Sequence, residues 1–276
     1  MTVPVLVTGG DGVLGRPIVA ALRAAGREVA SASRASREHP LDIRREAEVR
    51  ALVERLRPGV VVHLAALLPG ASDDLDEVNV EGTRRVADAA ASVGARLVFA
   101  SSAAVYASVR ESPAREDEAV APTTPYGRSK VRAEEVLDAF GDAVTALSLR
   151  IFNVSGPELP GSLPQRLVRS TEAEPVRLRG LDDFVRDYVT PADVARAVVA
   201  AVDAAVAPGH TRVNVGSGAA TSNRALVDLV ARIARVHVVD ETGPRDRVWA
   251  DTARARAVLG VVPTPIQDWS ADAFLG

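Results

Sequence analysis

Tyr126 and Lys130 stand four residues apart in YGRSK (126–130), a spacing that puts both on one face of a helix. A phenol with an ordinary pKa near 10 is a poor acid or base at neutral pH, and an ammonium beside it favours the phenolate. Lys130 is the chain's one lysine among 33 Lys+Arg residues, and Tyr126 is one of three tyrosines. A chain that writes arginine at every other cationic position keeps here a compact ammonium, which a planar guanidinium does not replace. Upstream, Ser101 and Ser102 close an apolar run, where a hydroxyl can hold a substrate oxygen. Ser102, Tyr126 and Lys130 together suit proton transfer at an alcohol or carbonyl oxygen.

A second chemical signal sits at the N-terminus. TGGDGVLG (8–15) places Gly9, Gly12 and Gly15 in a G-x-x-G-x-x-G spacing between an apolar run and an amphipathic stretch. A strand-to-helix turn this tight needs glycine, and the helix start beyond it offers free N–H groups to a pyrophosphate. The next strand ends in Ser33-Arg34, with Arg37 close by. An acidic residue at that point would accept from the ribose 2′-hydroxyl of NAD; serine and arginine instead suit a 2′-phosphate, so NADP (NADPH) is the expected cofactor, with NAD possible. Asp42, in LDI (41–43), is placed to reach the adenine.

These residues need a frame to hold them. Strands are expected at 3–8, 28–33, 60–65, 96–101 and 144–151, alternating with helices at 13–25, 44–57, 74–93 and 126–140. Near-continuous apolar strands separated by such helices predict an α/β fold, a doubly wound parallel sheet. Beyond 152 the pattern loosens through a Gly/Pro-rich loop at 155–164. A helix is expected at 163–171, strands around 176–179 and 185–189, and a helix at 192–206. A strand at 212–216 and a helix at 222–236 follow, then an irregular tail from 244 with a short helix at 252–259. The expected division is a dinucleotide-binding domain of 1–154 and 190–216 with a smaller lobe of 155–189 and 217–276.

Composition narrows the classes. The 276 residues are 47% hydrophobic and 25% charged, as in ordinary globular chains. A net charge of −3 argues against a nucleic-acid partner. The absence of cysteine excludes disulfides, thiolate metal sites and a cysteine nucleophile. No secretory signal and no membrane span are read, so a cytoplasmic location is expected.

The chain resembles the extended short-chain dehydrogenase/reductases, the NAD-dependent epimerase/dehydratase family, which act mostly on nucleotide sugars. The likeness runs through TGGDGVLG (8–15), LDI (41–43), HLAA (63–66), NVEGT (79–83), SSAAVY (101–106), PYGRSK (125–130), RIFNVSGP (150–157), RDYVTPADVARA (186–197), NVGSG (214–218) and ADTARARAVLG (250–260). It implies a Rossmann sheet with a C-terminal substrate-binding lobe, and a homodimer. It implies that Tyr126 is the proton donor or acceptor, that Lys130 holds the nicotinamide ribose, and that Ser102 is the catalytic serine. Cofactor contacts would come from Gly9, Gly12, Val13, Leu14, Ser33, Arg34, Asp42, Ile43, Leu64, Ala65, Ala66 and Asn79 as well as Tyr126 and Lys130. Asn153 would touch the substrate, and Arg186 and Arg245 its diphosphate.

Departures from the family pattern bear on the reaction. Ala103 and Ala104 stand where sugar 4,6-dehydratases carry Asp-Glu, so water elimination lacks its acid and base. With NADPH expected, the reading is a ketoreductase acting on a 4-keto-deoxysugar nucleotide. An NAD-retaining nucleotide-sugar epimerase, or a reductase of a non-sugar secondary-metabolite ketone, is the alternative.

Overall fold

In the computed structural model, which describes residues 4–68, 70 and 74–275, the apolar runs of the first half become strands buried on both faces. The order is β1 (Val5–Thr8), α1 (Gly15–Ala24), β2 (Val29–Ser33), the two-residue β3 (His39–Pro40), α2 (Glu46–Leu56) and β4 (Val60–His63). A π-helical turn (Asp76–Glu81) then leads into α3 (Gly82–Ser92), β5 (Arg96–Ser102), α4 (Pro125–Ala139) and β6 (Thr145–Ile151). Every residue of β1 and β4 is buried, which is why neither shows a polar alternation. Val3, expected in the first strand, lies outside the described residues.

The second half contributes β7 (Asn153–Val154), α5 (Leu163–Val168), β8 (Val176–Arg179), β9 (Phe184–Arg186), β10 (Tyr188–Val189), α6 (Pro191–Asp203) and β11 (Gly209–Val215). After these come β12 (Thr221–Ser222), α7 (Asn223–Val230), β13 (Val238–Glu241), β14 (Asp246–Val248) and α8 (Ala253–Leu259).

Seven strands make one parallel sheet in the order β11-β6-β5-β4-β1-β2-β3. One face packs on α1, α6 and α8 through Ile18, Leu22, Val198 and Leu259. The other packs on α2, α3 and α4 through Leu52, Val86 and Leu137. The chain leaves β1 toward β2 on one side and returns to β4 on the other, so the connections diverge and open a crevice at the carboxyl edge. The expected doubly wound sheet is thus observed.

Residues 153–248 also form three small sheets, β10-β7, β12-β9-β14 and β13-β8. A separate core of Leu167, Leu178, Tyr188, Leu226, Ile266 and Phe274 lies with them.

Several elements differ from expectation, among them α7, which ends at Val230 rather than 236. The helix expected at 74–93 begins as a π turn, whose extra residue per turn precedes a tight contact at Gly82, where a Cβ would lie 2.6 Å from Ile43 Cδ1. The strand expected at 185–189 is broken at Asp187. This carboxylate is fully buried and accepts from Ser217 N and Oγ, Gly218 N and Ala250 N. The region expected to be irregular from 244 contains β14, held in parallel against β9. Among the described residues, no helix is long and apolar enough to cross a membrane, and no cluster of metal-ligating side chains occurs.

Candidate active site

The crevice is a cleft of about 780 Å³. Its wall on the β1 side is the glycine loop, with Gly9, Gly12, Val13 and Leu14. Ser33, Arg34, Asp42 and Ile43 line one end; Leu64, Ala65 and Ala66 follow β4; Ser102, Tyr126 and Lys130 line the other end. At Gly15 a Cβ would stand 2.2 Å from the Gly9 carbonyl oxygen. The loop can therefore fold back on the start of α1 only with glycine there. A long cleft with bare backbone at its middle, and a tyrosine and lysine at one end, fits a nicotinamide dinucleotide.

At the end of the cleft beside β2, Asp42 is held by Arg44. The guanidinium donates from Nε at 3.0 Å and from a terminal nitrogen at 2.6 Å. That pairing lowers the Asp42 carboxyl to about 2. Ser33 Oγ donates to Asp11 Oδ2 at 2.5 Å, so a carboxylate from the glycine loop stands at the end of β2. Sequence reading missed Asp11, which is 22 residues from Ser33. The available signal was β1–β2 pairing, since Thr8 lies opposite Ala32 and carries the following loop past the end of β2.

At the other end, α4 starts in a defined place. Thr124 caps it by accepting from Gly127 N at 3.0 Å, and Pro125 occupies the first turn. Gly127 lies against the turn Ala103–Val105, where a Cβ would meet the Ala104 carbonyl oxygen at 2.2 Å. That contact seats Tyr126 beside Ser102, whose Oγ accepts from Ala104 N at 3.1 Å. Burial raises the Tyr126 phenol above its ordinary value, and the Ser102 hydroxyl opposes the rise. Lys130 Nζ donates to the Ala100 carbonyl at 2.8 Å and lies 5.8 Å from the centre of the Tyr126 ring. Burial lowers its ammonium to about 8, against the pull of Glu134. The lowered phenol expected beside Lys130 is not observed: burial raises Tyr126, and the group that opposes the rise is Ser102.

Asn79 is 1% exposed and stands behind the site. Its Oδ1 accepts from Leu67 N at 2.7 Å, and its Nδ2 donates to Leu67 O and to Ser129 Oγ. It ties the loop after β4 to α4 rather than lining the cleft. Deeper still, Ser101 Oγ donates to Glu134 Oε1 at 2.6 Å. Glu134 pairs with Arg150 at 2.7 Å, both side chains 3–4% exposed. Ser101, read in the sequence beside Ser102 as a hydroxyl for a substrate oxygen, instead joins a buried support with Glu134 and Arg150, which sequence reading did not single out.

Asn153 lines a second cleft of about 450 Å³, which meets the first at Val154. Arg166, Arg177 and Arg179 also line it, with Tyr188 and Asn223, which are 4% and 3% exposed. Arg177 pairs with Glu241 at 2.9 Å; among the described residues Arg166 and Arg179 make no ion pair. The arginines carried over by resemblance go elsewhere. Arg186 pairs with Asp246 at 2.6 Å and lies 3.9 Å over the Phe184 ring. Arg245 pairs with Glu111 at 2.6 Å. Neither lines either cleft.

Comparison with known proteins places this geometry. UDP-glucose 4-epimerase of Rhizobium meliloti (strain 1021) is 28% identical over 301 residues, covering 94% of this chain and 92% of the relative. The dTDP-6-deoxy-L-talose 4-dehydrogenase (NAD(P)(+)) of Kitasatospora kifunensis is 32% identical, covering 94% and 90%. The solved structure of Thermus thermophilus UDP-glucose 4-epimerase in complex with NAD superposes with a TM-score of 0.81 at 27% identity, covering 99% of this chain and 97% of that one. The family model for the NAD dependent epimerase/dehydratase family matches residues 5–216, and the chain belongs to that family.

Proposed function

We propose that the chain interconverts two epimers of a nucleotide-linked sugar at one carbon, on a nicotinamide dinucleotide that stays bound. The observation that carries this reading is that, among the described residues lining the cleft, Tyr126 is the single acid–base group beside Lys130. The other titratable lining residues, Asp11, Arg34, Asp42 and Arg44, belong to the adenine end. One phenol that takes a proton and gives it back suits oxidation followed by reduction at the same carbon. Ala103 and Ala104 supply no second group for chemistry at a neighbouring carbon.

A bound nicotinamide supplies hydride acceptance and return at that carbon. Tyr126, as its phenolate, would remove the hydroxyl proton as the carbonyl forms and, as the phenol, restore it as the alcohol re-forms. Ser102 holds the same oxygen by hydrogen bonding. Lys130 keeps a positive charge beside Tyr126 and would hold the cofactor ribose. Arg166 and Arg179, on the adjoining cleft, hold the substrate diphosphate, so that contacts remote from the reacting carbon position it. The epimerase relatives named above act on UDP-glucose, which supports this substrate class.

Incubation of the purified protein with UDP-glucose and no added cofactor, followed by proton NMR, is expected to show a second sugar epimer with no net NADH. A second reading, NADPH-consuming ketoreduction of a 4-keto-deoxysugar nucleotide, is favoured by the Kitasatospora kifunensis relative and by exposed Arg34 at the cleft. NADPH consumption with that substrate, and no epimer formed from UDP-glucose, overturns the epimerase reading.

A further inference from the structure

Asp11 separates two spaces. On one side it lines the cofactor cleft beside Ser33; on the other it lines a recess of about 480 Å³ behind the glycine loop, with Arg16, Arg23 and Arg37. Arg23 is tied to the Val29 carbonyl. Glu38, also on the recess, approaches His39 at 3.5 Å. Among the described residues, Arg16 and Arg37 make no ion pair. The recess thus offers cationic groups and room for a phosphate. It adjoins the end of β2, where a dinucleotide presents its adenosine ribose 2′ oxygen.

We infer that Asp11 sets the cofactor choice: its carboxylate, seated on Ser33, accepts from the ribose 2′-hydroxyl of NAD and keeps a 2′-phosphate out of the arginine-lined recess behind it. The inference rests on the assignment of the cleft to a nicotinamide dinucleotide, and it reverses the expectation drawn from Ser33 and Arg34. The reason is charge. A carboxylate accepts from a hydroxyl but repels a phosphate dianion at the same place. Asp11→Asn keeps the side-chain shape and an oxygen for Ser33 while removing the charge. Arg16 and Arg37 then face the phosphate with Asp11 neutral, and Glu38, beside His39, is the one carboxylate left on the recess.

Fluorescence titration of NADH and NADPH, without substrate and on protein first stripped of any nucleotide retained through purification, tests this on the wild type, on Asp11→Asn, and on Asp11→Asn with Arg16→Ala and Arg37→Ala added. Thermal melts establish that each variant is folded. The wild type is expected to bind NADH about tenfold or more tightly than NADPH. Asp11→Asn is expected to tighten NADPH by about tenfold or more, and the two alanine changes to remove most of that gain. Equal or tighter NADPH binding by the wild type, an unchanged ratio in Asp11→Asn, or a gain that survives loss of both arginines overturns the inference. If neither nucleotide binds, the cleft assignment falls and the inference with it. If the titrations come out as expected while no sugar is interconverted, the epimerase reading alone falls.

Discussion

The edge of the large sheet and the region after residue 152 treat their charged residues differently. Along the edge, parallel strands deliver their carboxyl ends to one line. Residues as distant as Gly9, Ser102 and Lys130 therefore arrive at one cleft. After residue 152 the strands are two to four residues long until β11, and each arginine goes to whichever carboxylate tertiary packing brings near. Arg186 and Arg245 are taken up by Asp246 and Glu111, while Arg166 and Arg179 remain on a cleft. Topology places the reacting groups; local pairing decides which cations are free to bind.

Tyr126→Phe probes the edge most severely. Turnover is expected to fall by about 10²–10⁴-fold, read as the rate of sugar interconversion, with NADH affinity retained. Retention of more than about a tenth of the wild-type rate removes Tyr126 from its role.

Behind the edge, Glu134→Ala is expected to cost about 3–5 kcal/mol, because it leaves Arg150 buried without its partner. Chemical denaturation measures this. The Glu134 carboxyl lies below its ordinary value because of the Arg150 pairing and the Ser101 and Arg212 hydrogen bonds, against burial. Its contribution is present above the unfolded carboxyl pKa and is lost as pH falls through the lowered folded value. Glu134→Ala should therefore flatten the acid limb of the stability curve.

In the other region, Arg179→Ala and Arg186→Ala should separate. A charged contact to phosphate contributes about 1.5–3 kcal/mol, so Arg179→Ala is expected to raise KM by roughly ten- to a hundredfold with kcat little changed. Arg186→Ala is expected to lower stability by about 1–2 kcal/mol through loss of its bond to Asp246, with KM nearly unchanged. The opposite pattern restores the diphosphate to Arg186.

The mildest effect is in pH. Lys130 deprotonates near 8 because of burial. Turnover should therefore decline above about pH 8, by up to tenfold per unit, as the ammonium is lost. A profile flat to about pH 10 would separate the lysine charge from the reaction.

Sequence made the large sheet and the Tyr126–Lys130 pair readable, because both repeat a local rule: apolar runs punctuated by glycine, and a spacing of four on a helix. Asp11 was not readable, because its meeting with Ser33 depends on two strands pairing side by side. β13 was missed because it pairs with β8 from a distant part of the chain and shows no alternation of burial. The destinations of Arg186 and Arg245 escaped for the same reason: Asp246 and Glu111 are neighbours only after folding.

The end of β5 also bears on evolution. Ser101 and Ser102 look alike in sequence but have different partners, Ser101 Oγ donating to Glu134 and Ser102 Oγ standing beside Ala104 N and Tyr126. A one-residue insertion or deletion upstream in this strand would exchange their faces. The displaced serine would still be a serine, so a hydroxyl would still stand on each face at the end of the strand. The doubled serine thus keeps a hydroxyl at both faces through a length change, whereas neighbouring β4 ends in one buried polar residue, His63, with no like neighbour to take its place.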